Sequence, residues 1–296
     1  MEKIVIAGGT GFIGHYIAKR FKDAGCKVVL VSRQREHVQW AVASMTSAFE
    51  GASLVLNLAG STINCKHTLR NRELILSSRL QTTKLVGEAI SECQYPPKVW
   101  INASASAIYT SSEDVAMDDF ATQYDTDFMA DVVRKWEEQL FSFNLPHTQK
   151  AALRTSVVLG RGGGALSPLL FLTKFGLGGT QASGNQKFSW IHIEDYFRVL
   201  LFLLKNEYCE GVVNCTSPYP VSNKVLMTEL RNAVSVPIGL PAPELAIKMG
   251  AWIIGTESVL LLKSTYMIPK RLNESGFQFL YPTIAGALSN LIDKAE

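Results

Sequence analysis

The chain has 296 residues, 47% hydrophobic and 19% charged, and carries a net charge of +3 with no basic block. That composition supplies a sizeable core and excludes a disordered chain, which would be poor in apolar residues and high in net charge. It also excludes a polyanion-binding surface, so nucleic acid is not an expected partner.

In chain order, Ile4-Val5-Ile6 reads as a buried strand, Phe12 to Ala24 as an amphipathic helix, and Val28 to Val31 as a second strand. Between the first two lies Gly8-Gly9-Thr10-Gly11-Phe12-Ile13-Gly14, with Gly8, Gly11 and Gly14 in G-x-x-G-x-x-G spacing. Glycines there permit a tight turn, close approach of the backbone to a pyrophosphate, and close helix–strand packing. The helix N-terminus then offers unpaired N–H groups and its positive dipole end to phosphate. The stripe Ile13, Ile17, Phe21, the terminating Gly25 and the strand that follows give the motif the context it needs. The second strand ends in Ser32-Arg33 with no acid, and Arg at that place accommodates the 2′-phosphate of NADP where a carboxylate would bind the NAD ribose. NADP(H) is therefore the expected cofactor.

Leu54 to Leu56 and Val99 to Ile101 continue the strand series, with a helix from Arg79 to Glu92 between them. A helix over Asp127 to Phe143 and a strand over Leu153 to Leu159 follow. Seven acidic residues and no basic ones lie between Glu113 and Asp131, which reads as a solvated loop or, more sharply, a lid over the cofactor. Glycines crowd the chain after Gly160, so that segment is loop-rich. Glu194 to Leu204 reads as a helix and Val212 to Asn214 as a short strand, and the proline-punctuated remainder as helices, including Glu244 to Ile254. The alternation predicts an α/β fold, a Rossmann-type doubly wound parallel sheet over residues 1–160 with 190–216 returning to it. A smaller, mainly helical substrate-binding domain is expected over 161–296.

The five cysteines, Cys26, Cys65, Cys93, Cys209 and Cys215, are scattered without a C-x-x-C pair, so reduced thiols are expected. The histidines have no ligand partners at i+3 or i+4, and no metal site is expected. The N-terminus shows no charged region with a cleavage site, and the stretch 249–262, broken by Glu257, is short of the ~20 apolar residues that span a bilayer. A cytoplasmic protein with no membrane partner is expected.

With these residues in hand, the chain resembles the extended, epimerase-like branch of the short-chain dehydrogenase/reductase superfamily. Asn57-Leu58-Ala59-Gly60, taken to follow a fourth strand, resembles that superfamily's N-x-A-G element beside the cofactor. Ser78 to Leu85 resembles the helix after it, Ile101 to Tyr109 the strand carrying the catalytic serine, and Trp190 to Asp195 the H-V-x-D segment. More closely, 153–166, 176–195 and 269–283 resemble an "epimerase family" group with a dedicated C-terminal domain, whose members bind NADP(H). The resemblance implies cofactor contacts from Gly8, Thr10, Gly11, Phe12, Ile13, Gly14, Ser32, Arg33, Leu58, Ala59, Gly60 and Arg79. It implies a homodimer through the helices at 79–92 and 127–143.

Two departures matter. The superfamily's Tyr-x-x-x-Lys pair, in which Lys lowers the Tyr pKa for proton transfer, aligns with Val132 and Trp136. These join Phe128 and Leu140 in an apolar stripe. The arginine that holds a sugar-nucleotide diphosphate aligns with Phe188, near Trp190 and His192, with Lys187 adjacent; that pocket suits a small uncharged substrate. His192 reads chiefly as a loop-structuring residue. Ser104, with Ser106 as alternative, is then expected to hold the substrate oxygen, and Tyr109 to replace the lost phenol, with slow turnover because no lysine lies beside it. The resulting expectation is an NADP(H)-dependent oxidoreductase or epimerase, or alternatively a non-catalytic NADP(H)-binding sensor or scaffold.

Overall fold

The computed structural model describes residues 1–206 and 210–292, so Cys209 lies outside the described residues. The first half runs β1 (Lys3–Ala7), α1 (Phe12–Asp23), β2 (Lys27–Val31), α2 (Val42–Phe49), β3 (Leu54–Asn57), α3 (Leu69–Ser91), β4 (Val99–Ala105), α4 (Phe128–Phe141) and β5 (Gln149–Thr155). The second half runs β6 (Val157–Leu159), α5 (Leu166–Lys174), β7 (Lys187–Phe188), β8 (Trp190–His192), α6 (Ile193–Lys205), β9 (Gly211–Cys215), β10 (Val221–Ser222) and α7 (Asn223–Ala233). Four helices close the chain: α8 (Glu244–Ile254), α9 (Val259–Leu262), α10 (Lys270–Glu274) and α11 (Ile284–Leu291).

Six strands form one parallel sheet in the order β2-β1-β3-β4-β5-β9. Successive side chains point to opposite faces, and both faces are apolar. Ile4, Ile6, Leu54, Leu56, Ile101 and Leu153 pack with Ile17 and Phe21 of α1 and Phe197 and Leu200 of α6. Val5, Val55, Trp100 and Ala152 pack with Met45 and Phe49 of α2, Val86 of α3 and Leu140 of α4. A sheet buried on both faces needs such unbroken Val/Ile/Leu runs, which is why its strands were easy to read.

Helices α5, α7 and α11 gather around a second cluster that includes Leu166, Trp190, Leu226, Leu230, Ile284 and Leu288. Among the described residues, no helix is long and apolar enough to cross a membrane.

The structure corrects three element assignments. The strand that ends in Asn57 is the third, not the fourth. Helix α3 starts ten residues before Arg79, at a Thr68 cap whose hydroxyl accepts from the Asn71 amide at 3.3 Å; its first turns are too polar to show an apolar stripe. The run 153–159 is two strands. Ser156 N donates to Cys215 O and Val157 N to Ser189 O, both at 3.2 Å, so β6 leaves the large sheet to pair with β8.

Glu113 and Asp114 are solvated, but the acids from Asp118 to Asp127 are tied to the C-terminal part of the chain. They form a docking strip for the segment from Lys263 into the first residues of α10. Lys263 Nζ lies 2.9 Å from Asp125 and 3.1 Å from Asp127, Lys270 meets Asp118 at 3.3 Å, and the Arg271 amide donates to Asp119 at 3.0 Å. Met117 also exchanges backbone hydrogen bonds with Tyr266 and Ile268.

Candidate functional site

The glycine turn sits at the carboxyl end of β1, where ligands bind in open parallel sheets. Gly8 has φ +79°, and a Cβ there would lie 2.7 Å from the Ala59 amide nitrogen. A Cβ on Gly14 would lie 2.6 Å from Gly9 Cα. Gly11 differs: its side-chain position meets only Gly8 O at 3.8 Å, so this edge of the turn is open. Gly11 is also the N-cap of α1 and offers no side-chain cap. Two glycines lock the turn and the third leaves room above uncapped helix N–H groups, a cradle that fits a pyrophosphate. Phe12 explains part of the later glycine run, for Cβ atoms on Gly160 and Gly163 would lie 2.7 and 2.5 Å from its ring.

At the end of β2, Ser32 is buried. Its hydroxyl accepts from Gln34 N at 3.0 Å and lies 2.8 Å from His37 Nδ1, so it shapes the turn. Arg33 is exposed beside it.

At the end of β3, the Asn57 carboxamide accepts from Ala59 N at 3.1 Å and donates to Asn102 at 2.7 Å, fixing Leu58-Ala59-Gly60 against the glycine turn. Ser78 and Arg79 of α3 grip the next residue from both sides. Ser61 N donates to Ser78 Oγ at 3.0 Å, and Arg79 Nη1 donates to Ser61 O at 3.1 Å. The Arg79 guanidinium lies 5.1 Å from the Trp136 ring centroid, and burial pulls its pKa down to about 10.

The expected catalytic hydroxyls lie in a buried network. Ser104 Oγ donates to Glu137 Oε1 at 2.5 Å. Arg154 grips the same carboxylate with Nε at 2.9 Å and Nη2 at 2.7 Å, and donates through Nη1 to the Tyr109 oxygen at 2.8 Å. Tyr109 is 2% exposed, and its hydroxyl points at Asn214 Oδ1 (2.8 Å) and Asp118 O (2.9 Å). Burial pushes this phenol up to about 12, with Arg154 opposing. Neither hydroxyl is spare: both brace β4, α4, β5 and β9 against one another. Ser106 differs, since it is partly exposed and its hydroxyl has no hydrogen-bond partner among the described residues.

Glu137, Arg154 and Asn214 escaped the sequence reading. The available signal was an arginine inside the apolar strand Ala-Ala-Leu-Arg-Thr, which demands a buried acid.

Apart from Glu137, helix α4 turns apolar groups inward around the expected proton relay. Met129, Val132, Val133 and Trp136 are all buried, and the Trp136 indole N–H donates to Thr83 Oγ1 at 2.8 Å. Ile63 and Cys65 pack against Met129 and Val132. Tyr266 and Lys270 form no dyad: Lys270 pairs with Asp118, and the Tyr266 ring lies under Lys187 at 5.0 Å.

Of the three expected pocket residues, Phe188 alone keeps exposed surface. Trp190 is 0% exposed inside the helical cluster and has no face for a ligand. His192 caps α6, its Nδ1 accepting from Glu194 N at 3.0 Å, its Nε2 lying 3.2 Å from Asn290 Oδ1 and its ring stacking on Tyr281. Among the described residues no group of three or more His, Cys, Asp or Glu side chains is placed to hold a metal.

A glycine-locked turn, an N-x-A-G corner and a parallel sheet with a helical annex define an extended short-chain dehydrogenase/reductase. Comparison with known proteins agrees. Residues 4–129 match the NAD dependent epimerase/dehydratase family, and 242–291 match a domain of unknown function, DUF1731. Epimerase family protein SDR39U1 of Mus musculus is 33% identical over 98% of this chain and 99% of its own. A Staphylococcus aureus epimerase family protein, SA0724, is 30% identical over 99% of each. The crystal structure of human SDR39U1 (isoform 2) with NADPH superposes with a TM-score of 0.90 at 30% identity, covering 98% of this chain and 99% of that one. The chain belongs to the epimerase family. A UDP-N-acetylglucosamine 4-epimerase from Bacillus cereus, 16% identical with a TM-score of 0.78 over 98% of each chain, shares the fold.

Proposed function

We propose that the protein binds NADP(H) and is an oxidoreductase acting slowly on a small uncharged substrate. The observation that carries this reading is the glycine cradle, open at Gly11, with Arg33 exposed at the end of β2. The human relative crystallised with NADPH supports it. Bound NADPH supplies a hydride. In this reading Ser106, on the turn after β4, orients the acceptor oxygen, and Phe188 offers an apolar contact. With Ser104 and Tyr109 committed to the Arg154 network, the proton comes from solvent, which keeps turnover slow.

The same committed hydroxyls favour a second reading, a sensor that binds NADP(H) without turnover. Incubation with NADPH and a broad carbonyl panel, followed by absorbance of the reduced nicotinamide, separates the two. Slow oxidation with at least one carbonyl, reduced roughly 10²-fold or more by Ser106→Ala, is expected of the oxidoreductase. Tight NADPH binding with no oxidation anywhere contradicts it and leaves the sensor.

A further inference from the structure

Helix α8 is apolar apart from Glu244 and Lys248, yet the fold covers it on one side only. Of its described side chains, Ile247 and Ala251 alone are buried. Leu245, Met249, Trp252 and Ile253, spaced i, i+4, i+7 and i+8, lie along one face and are 57–73% exposed. A helix this apolar is ordinarily covered all round. α8 therefore carries a face that the fold itself does not use.

The face continues beyond the helix. Leu240 N donates to Gly176 O at 2.8 Å and Gly179 N to Leu240 O at 3.1 Å, which joins the turn after α5 to the segment entering α8. Phe175, Leu177 and Leu240 are exposed there. Extended apolar surface of this kind marks contact with a protein or a membrane.

Charge distinguishes the two. Glu244 and Lys248 neutralise one another at 2.6 Å, and Glu257 Oε1 accepts from the His67 amide at 2.7 Å. Lys66 and Lys174 have no acid within ion-pair distance among the described residues, and Lys66 Nζ lies 4.9 Å from the Trp252 ring centroid. No acid occurs from residue 139 to 193, the stretch that holds α5. The rim is thus cationic around an apolar centre. A second copy docked on this face about a two-fold axis would join the patch to its identical counterpart and set cations against cations. A bilayer with anionic headgroups satisfies both features: the apolar side chains enter the boundary between headgroups and acyl chains, and the lysines meet the negative charge.

We propose that α8, with Phe175, Leu177 and Leu240, is a peripheral attachment face for an anionic membrane surface. Lying on a bilayer needs no spanning helix and no basic block, the two features whose absence made a membrane partner unexpected from the sequence. Attachment and cofactor binding are separate properties, since the face includes no residue of the glycine cradle.

Co-sedimentation of the full chain with phosphatidylcholine vesicles, pure or about one-third phosphatidylserine, tests this directly. Wild type should bind the anionic vesicles about tenfold or more tightly than the neutral ones, and high salt should erase the difference. Trp252→Ser combined with Ile253→Ser should weaken binding to the anionic vesicles by about tenfold or more. Leu245→Ser with Met249→Ser should do the same, and replaces that pair if its melting curve shows a folding defect. Lys66→Gln with Lys174→Gln should lose about fivefold per lysine on anionic vesicles and nothing on neutral ones. Tyr95→Ser, an exposed aromatic in the loop before β4 and so at the other end of the sheet from Lys66, should bind like wild type. Failure to sediment with anionic vesicles overturns the proposal, as does equal binding to both vesicle types or binding that ignores both apolar double variants. Dimers in vesicle-free solution that the apolar variants dissociate would give the face to a second copy and overturn it too.

Discussion

A methyl group is enough to jam the cofactor turn. On Gly8 it would press on the Ala59 backbone at 2.7 Å from a φ of +79°, a region costly for any residue with a Cβ. Gly8→Ala should therefore lower stability by about 1–3 kcal/mol and abolish NADPH binding, which melting curves with and without NADPH will show. Gly11→Ala, at an open position, should leave the fold intact and weaken only the cofactor. Arg33→Ala tests another kind of residue, exposed and free of strain. Losing a charged hydrogen bond to the 2′-phosphate should cost NADPH about 10- to 100-fold in affinity and leave NADH alone. The glycine turn was legible because the backbone geometry that demands it is local in sequence. The acid that holds Arg154 was not: Glu137 is 17 residues away on a helix whose other inward groups are apolar. Ser104 and Tyr109 were picked for their chemistry, and their hydrogen bonds are spent on partners up to 105 residues distant.

Among the elements, α4 and α6 show how polar groups fix apolar helices. Removing one partner of the Glu137–Arg154 pair strands a buried charge, so Glu137→Leu should destabilise by about 3–5 kcal/mol, read from denaturant midpoints. Replacing both partners with apolar residues should recover much of that. At α6, burial pushes the His192 imidazole below its ordinary value, against the pull of Asp195. The unfolded chain then binds a proton at a higher pH than the folded one. The cap's contribution is complete above about pH 6.5 and is lost as pH falls below it. Unfolding free energy should drop as pH falls below about 6.5, and drop less in His192→Asn, which retains a capping side chain. A pH slope unchanged by that substitution would remove His192 from the account. Helix and strand boundaries were readable wherever an apolar period ran to a cap or glycine, as in α1. They failed at α3, whose exposed early turns carry no stripe, and at Ser156, where the chain changes sheets without a breaker residue.

At the scale of the molecule, residues Met117 to Asp127 tie the part of the chain that carries the sheet to the segment from Lys263 into α10. Burial pushes the Asp125 carboxyl up, but its bonds to Lys263 and to backbone amides hold it below the usual range overall. Its contribution is present above about pH 4 and is lost as acid protonates it. Lys263→Met should strand Asp125 and Asp127 and raise protease cleavage within 256–269, while NADPH affinity stays near wild type. The parallel sheet was legible as a whole because its two-sided burial writes itself into continuous apolar strands. The docking strip was not, since acids waiting for lysines about 140 residues later look like any solvated run. The proposed function turns most on one property, that the end of β2 selects the phosphorylated dinucleotide. Titrating the wild-type protein with NADPH and NADH under one buffer and salt condition measures it directly. NADPH should bind at least about tenfold more tightly than NADH; equal affinities for the two would contradict the account.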